Sequence, residues 1–162
     1  MAQQAPQPVD KAVALRASQL LRDFTDVGVK ILAGIAAQRS VGKGTYAFKA
    51  GDVSDRLSFV AKGSLELVPL HGATALGHVV FGDTVGGMAL LVDGEHVVYA
   101  LAANDVELVE ISRAAFDVMK RTHPRTALKL TLALAQDLAE RLREAKGPLR
   151  EFLVWQISKR QA

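Results

Sequence analysis

The chain of 162 residues contains no cysteine. Disulfide frameworks, thiolate zinc sites and thiol nucleophiles are excluded together, which leaves His, Asp and Glu as the available metal ligands. Long apolar runs are missing too. None approaches the roughly 18 residues needed to cross a bilayer, and the opening MAQQAPQPVDKAV has neither the basic start nor the apolar centre of a secretion signal. The expectation is a cytoplasmic protein with no membrane partner. Charge of one sign is also scarce: 20 basic and 17 acidic residues leave a net charge of +3, too small for a strong surrounding field. Basic residues do thicken after position 120, at Lys120, Arg121, Arg125, Lys129, Arg141 and Arg143. Asp137, Glu140 and Glu144 interleave with them, which is the pattern of a solvated helix face rather than a nucleic-acid footprint.

What is present describes a globular domain. Apolar residues make up 49% and charged residues 23%, and the length suits one domain with a real core. Residues 1–13, rich in Gln and Pro at their start, read as a flexible tail, and residues 14–162 as the domain. Helical spacing occurs over 13–21 and 29–37, where Val29, Leu32 and Ile35 share a side and Thr25 or Asp26 caps the second helix. Strand candidates follow at 45–48, 57–61, 64–70, 76–81, 97–103 and 106–112, separated by glycine-bearing turns such as Gly51-Asp52, Lys62-Gly63 and Gly82-Asp83. The expected fold is mainly β with flanking helices: a roll over about 45–112 and C-terminal helices over about 113–158. Ser112 caps the helix containing Phe116. After Pro124 a longer helix places Leu128, Thr131, Leu132, Ala135, Leu138, Ala139 and Leu142 near one stripe, until Gly147-Pro148 ends it.

The spacing of Gly51-Asp52, Asp55, Leu57, Phe59-Val60, Gly63, Leu65, Leu67, Gly82-Asp83, Gly86 and Ala89-Leu90-Leu91 resembles the cyclic-nucleotide-binding domain of catabolite activator protein and cyclic-nucleotide-gated channels. The resemblance implies a jelly roll, or double-stranded β-helix, preceded by a helical pair, and a regulatory role in signal transduction with a cyclic nucleotide or another anionic ligand as partner. It places a phosphate-binding cassette at Gly86, Gly87, Met88 and Ala89, reaching to His96 and Val97. Two recognition side chains differ. The family's glutamate after the glycine is Gly87 here, and alignment from Glu110-Ile111-Ser112 puts His96 where the family has arginine. A guanidinium is a permanent charge with a fork of donors, whereas imidazole is charged only below about pH 6.5. Cyclic nucleotide binding is therefore expected to be weak or altered.

The family's transcription factors dimerise through the long helix and continue into a helix-turn-helix module. Leu128, Leu132, Leu138 and Leu142 offer a homodimer seam here, or pack on the chain's own roll, and too few residues follow for a DNA-binding module. Phe152 and Trp155, in the segment after Pro148, form a lid over the roll by the same resemblance; the plainer reading packs that segment near Leu20 and Leu21. Two functions remain open, a ligand-sensing module and a ligand-free dimerisation or protein-interaction module. No enzyme is expected and no catalytic residue is assigned, because no Gly-x-Ser-x-Gly or Gly-x-x-x-x-Gly-Lys-Ser/Thr occurs. No metal or cofactor is assigned either: His71, His78 and His96 lack the H-x-H pair of a cupin site.

Overall fold

A computed structural model of the chain describes residues 8–71 and 74–147. Asp10 accepts hydrogen bonds from the N–H groups of Ala12 and Val13 and so starts α1 (Lys11–Arg16) inside the stretch expected to be tail. The helix expected over 13–21 is broken. Ser18, which is buried, accepts from Leu20 N–H and begins a separate 3-10 turn, Gln19–Leu21, as serine does when it offers the backbone a local alternative to the helix. Thr25 caps α2 (Asp26–Ile35), with Asp26 in its positive first turn.

The roll begins at Ala37 rather than near Thr45. Ala36 is already extended, and β1 (Ala37–Val41) pairs antiparallel with the last strand along its whole length, from Ala37 opposite Glu110 to Val41 opposite Val106. Only Val41 of that strand is buried, so its sequence carries no alternation to announce it. The six expected strands appear as β2 (Tyr46–Phe48), β3 (Arg56–Lys62), β4 (Ser64–Pro69), β5 (Gly77–Val80), β7 (Val98–Ala102) and β8 (Val106–Ser112), with a two-residue β6 (Thr84–Val85) between β5 and β7.

Two four-stranded antiparallel sheets result, ordered β1-β8-β3-β6 and β2-β7-β4-β5. Between them Val41, Val60, Leu65, Val79, Val85, Ala100, Ala102, Val106 and Leu108 form one core. The outer face of the first sheet presents Leu57, Phe59, Val109 and Ile111 to the helices, and these join Leu15, Leu21, Leu32, Phe116, Met119 and Leu130 in a second core. Period-two alternation along β3 and β8 thus feeds two separate cores, one per face. The tight link between β3 and β4 requires Gly63, whose φ is 81° and where a Cβ would meet Asp105 O at 2.4 Å.

Ser112 accepts from Ala115 N–H and starts α3 (Arg113–Thr122); α4 (Pro124–Glu144) follows. The buried face of α4 is Ala127, Leu130 and Leu134, one residue away from the stripe expected from the sequence. Leu128 and Leu132 are 60% and 54% exposed, so they do not pack on the chain's own roll. Both stripes have helical spacing, and contact with the roll selects between them. The segment after Gly147 lies outside the described residues.

Candidate ligand site

Gly86 ends β6 and turns the chain into a short 3-10 helix, Gly87–Leu90. Its φ is 78°, and a Cβ there would meet Arg56 O at 2.4 Å, so both conformation and space demand glycine. Ala89 and Leu90 are buried, Leu90 in the helix-side core, while Met88 is 56% exposed. The turn is held at its far end by Arg113. That guanidinium donates to Ala89 O (Nε to O, 2.7 Å), to Val92 O and to the Asp93 carboxylate, and Arg113 N–H donates to Asp55 O at 2.7 Å. Charge-assisted bonds of this kind are worth roughly 1.5–3 kcal/mol. Arg113→Ala should therefore speed amide exchange at Leu91 and Val92, which bond to Met88 O, by about tenfold or more while β3 and β8 are unaffected. Unchanged exchange would mean that burial of Ala89 and Leu90 alone holds the turn.

The loop after the turn is pinned to the Gly51-Asp52 turn across from it. Gly51 N–H donates to His96 O, and His96 N–H to Asp52 O, each at 2.8 Å, while Ser54 N–H donates to Gly94 O. The His96 ring stacks on Phe48 with centroids 3.7 Å apart and planes 11° apart. Burial lowers the His96 pKa below its ordinary 6.5; Asp52 and Asp55 pull the other way without overcoming it, and Arg56 adds to the lowering. At pH 7 the ring is neutral. Val97 beside it is 79% exposed.

Turn, loop and α4 enclose a groove of about 390 Å³, within the size range of small-molecule sites. All six positions marked in the sequence, Gly86, Gly87, Met88, Ala89, His96 and Val97, line it. Phe152 and Trp155 lie outside the described residues. The wall that sequence reading did not supply is α4 itself, through Leu134, Asp137, Leu138 and Arg141. Leu134 fills the space over Gly87: a Cβ on that glycine would lie 3.3 Å from Leu134 Cδ2. Helix and turn are thus in direct contact where the resembled family has glutamate.

Beneath His96 and Gly86 lies a second, smaller cavity of about 200 Å³, lined by Arg39, Arg56, Ser58, Asp52 and Asp55 among others. It borders a polar cluster that the sequence did not reveal. Glu110, 4% exposed, accepts from Arg39 through both carboxylate oxygens, at 3.0 and 2.8 Å, and from Ser58 Oγ at 2.8 Å, with Arg56 Nη1 3.5 Å away. Burial pushes the Glu110 pKa up, but the Arg39 bonds and charge, Ser58 and Arg56 together outweigh it, and the group lies below its ordinary value. Arg56 is also bound to Asp55 at 2.7 Å, so both arginines already face carboxylates.

A β-roll closed by helices, with a glycine-headed turn facing α4, leaves a concave groove of small-molecule size at the turn. The chain belongs to the cyclic nucleotide-binding domain family, whose model matches residues 38–123. It is similar to the cyclic AMP receptor protein of Thermus thermophilus, with 29% identity over 78% of this chain and 60% of that protein. It is also similar to the lysophospholipase nte1 of Aspergillus fumigatus, with 27% identity over 66% of this chain; the matched stretch spans only 7% of that protein. Among solved structures, the catabolite activator protein of Thermus thermophilus superposes with a TM-score of 0.70 at 28% identity, over 87% of this chain and 63% of that one. The N-terminal domain of a transcriptional regulator from Streptomyces coelicolor A3(2) superposes with a TM-score of 0.73 over 83% of this chain and 98% of that one, and at 22% identity it speaks for the fold. No helix among the described residues is long and apolar enough to cross a membrane.

Proposed function

We propose that this chain is a regulatory module that senses a small molecule in the groove between the Gly86 turn and α4, and that it binds cyclic nucleotides weakly. The observation that carries the reading is the shared wall. A ligand seated against Met88 and His96 also touches Leu134 and Leu138, so binding energy gained at the turn is exerted on the helix as well. Weak affinity follows from the two recognition positions. Gly87 offers no side chain, and His96 offers a neutral ring already stacked on Phe48. Exchange at Leu91, Val92 and the middle of α4 should slow together when cyclic AMP is raised to millimolar concentration. If neither segment responds at any concentration, cyclic nucleotides are not ligands of this groove even weakly, and sensing would have to rest on a ligand of another class.

A second reading is favoured by a specific observation. Leu134 packs over Gly87 through the chain's own contacts, and Leu128 and Leu132 stand exposed elsewhere on α4. A module that uses that stripe for a homodimer, or for a protein partner, needs no ligand to order its helix. Its sign is self-association in sedimentation that Leu128→Glu combined with Leu132→Glu abolishes.

A further inference from the structure

We infer that the groove is selective for an uncharged, largely apolar small molecule, and that Met88, Val97 and the α4 wall rather than any cation set this preference. The inference rests on the reading of the groove as a ligand site. The first argument is charge. Asp93, Glu95 and Asp137 line the groove with one guanidinium, Arg141; Asp137 accepts from its Nε at 2.8 Å and Asp93 accepts from Arg113, so both of these guanidiniums are already paired with carboxylates. His96 adds no charge at pH 7, because burial holds its ring neutral.

The adjoining cavity does not make up the deficit. Its two guanidiniums, Arg39 and Arg56, face Glu110, Asp52 and Asp55, and Arg39 spends its Nε and Nη2 donors on Glu110 and Nη1 on Ala47 O. An anion entering either space meets guanidiniums already bound to carboxylates, so it gains little from them in exchange for the hydration it loses.

The second argument is the apolar surface left facing the groove. Met88, 56% exposed, and Val97, 79% exposed, line the groove together with Phe48, Leu67, Leu134 and Leu138. These side chains gain by leaving water when an apolar molecule seats between them, and Met88 can adjust its shape to fit. The flat His96–Phe48 stack adds a face suited to a planar ring.

The test uses the full chain and Nile red, an uncharged planar fluorophore, with indole and cyclic AMP as competitors. Nile red should bind with increased emission, indole should displace it, and cyclic AMP at the same concentration should not. Met88→Glu combined with Val97→Glu, both at exposed positions, should weaken Nile red binding at least tenfold. Leu128→Glu combined with Leu132→Glu should leave it unchanged. Displacement by micromolar cyclic AMP, with indole without effect, would overturn the preference while keeping the groove as a ligand site. Loss of binding with the α4 outer-face pair instead of the groove pair would put the probe elsewhere and overturn the inference. If neither Nile red nor cyclic AMP binds, this inference and the sensing function fail together.

Discussion

Glu110→Gln should lower the stability of the domain by about 3 kcal/mol and its melting temperature by about 6–12 °C. Removing one member of a buried ion pair costs roughly 3–5 kcal/mol because the other charge is left without a partner. Arg39 is 35% exposed and recovers some hydration, which places the expected loss at the low end. Glutamine keeps the shape and an acceptor for Ser58, but its amide NH2 replaces an oxygen that accepted from Arg39, so the change removes the charge and one acceptor together. The pH dependence should change with it. The Glu110 pKa is depressed in the fold, so its contribution is complete above its ordinary value of 4.5 and is lost as pH falls through the lower, folded value. Wild type should therefore lose stability as pH falls below about 4.5, and the variant should lack that part of the slope. Thermal melts at several pH values decide the matter; a variant as stable as wild type at pH 7 would mean the cluster contributes nothing net.

The second large effect is a gain. Gly87→Glu combined with His96→Arg should strengthen cyclic AMP binding by about two to four orders of magnitude, since each change adds a charge-assisted hydrogen bond worth roughly 1.5–3 kcal/mol. Gly87 is not among the glycines of positive φ, so its backbone accepts a side chain. The cost is steric: Leu134 Cδ2, 3.3 Å from the new Cβ, must give by a few tenths of an ångström. Arginine at 96 can keep the stacking on Phe48 and supply the permanent charge that the buried imidazole lacks. Calorimetry on the double variant measures the gain. An affinity equal to that of wild type would mean that these two positions are not where the family's recognition residues would act.

Much of the architecture was legible because it is written locally. Glycine turns and short apolar runs marked six strands, Thr25 and Ser112 announced the starts of α2 and α3, and Gly86 marked the turn that the site is built on. What escaped is written in distant partners. Ala37–Val41 has no alternation of its own and is a strand because β8 pairs with it. The Glu110 cluster joins residues 71 and 52 positions apart, and nothing near Glu110 in sequence distinguishes it from a surface glutamate. On α4 sequence reading favours the stripe through Leu128, Leu132 and Leu138, one residue away from the face that is buried. Only the roll could choose Ala127, Leu130 and Leu134, and that choice both closes the groove and leaves Leu128 and Leu132 outside. The six positions that the family resemblance marked all line the groove, four at the glycine turn and His96 and Val97 by alignment from Glu110-Ile111-Ser112, whereas the helix wall and the charge balance around them depend on tertiary packing.

We propose that the family's groove persists here while its recognition glutamate and arginine are replaced by Gly87 and His96. Calorimetric titration of the wild-type chain with cyclic AMP, cyclic GMP and cyclic di-GMP tests it most directly. Heats should be indistinguishable from dilution, or saturate only at millimolar concentration, for all three; micromolar or tighter binding of any of them by the unmodified chain would show that other residues hold the nucleotide.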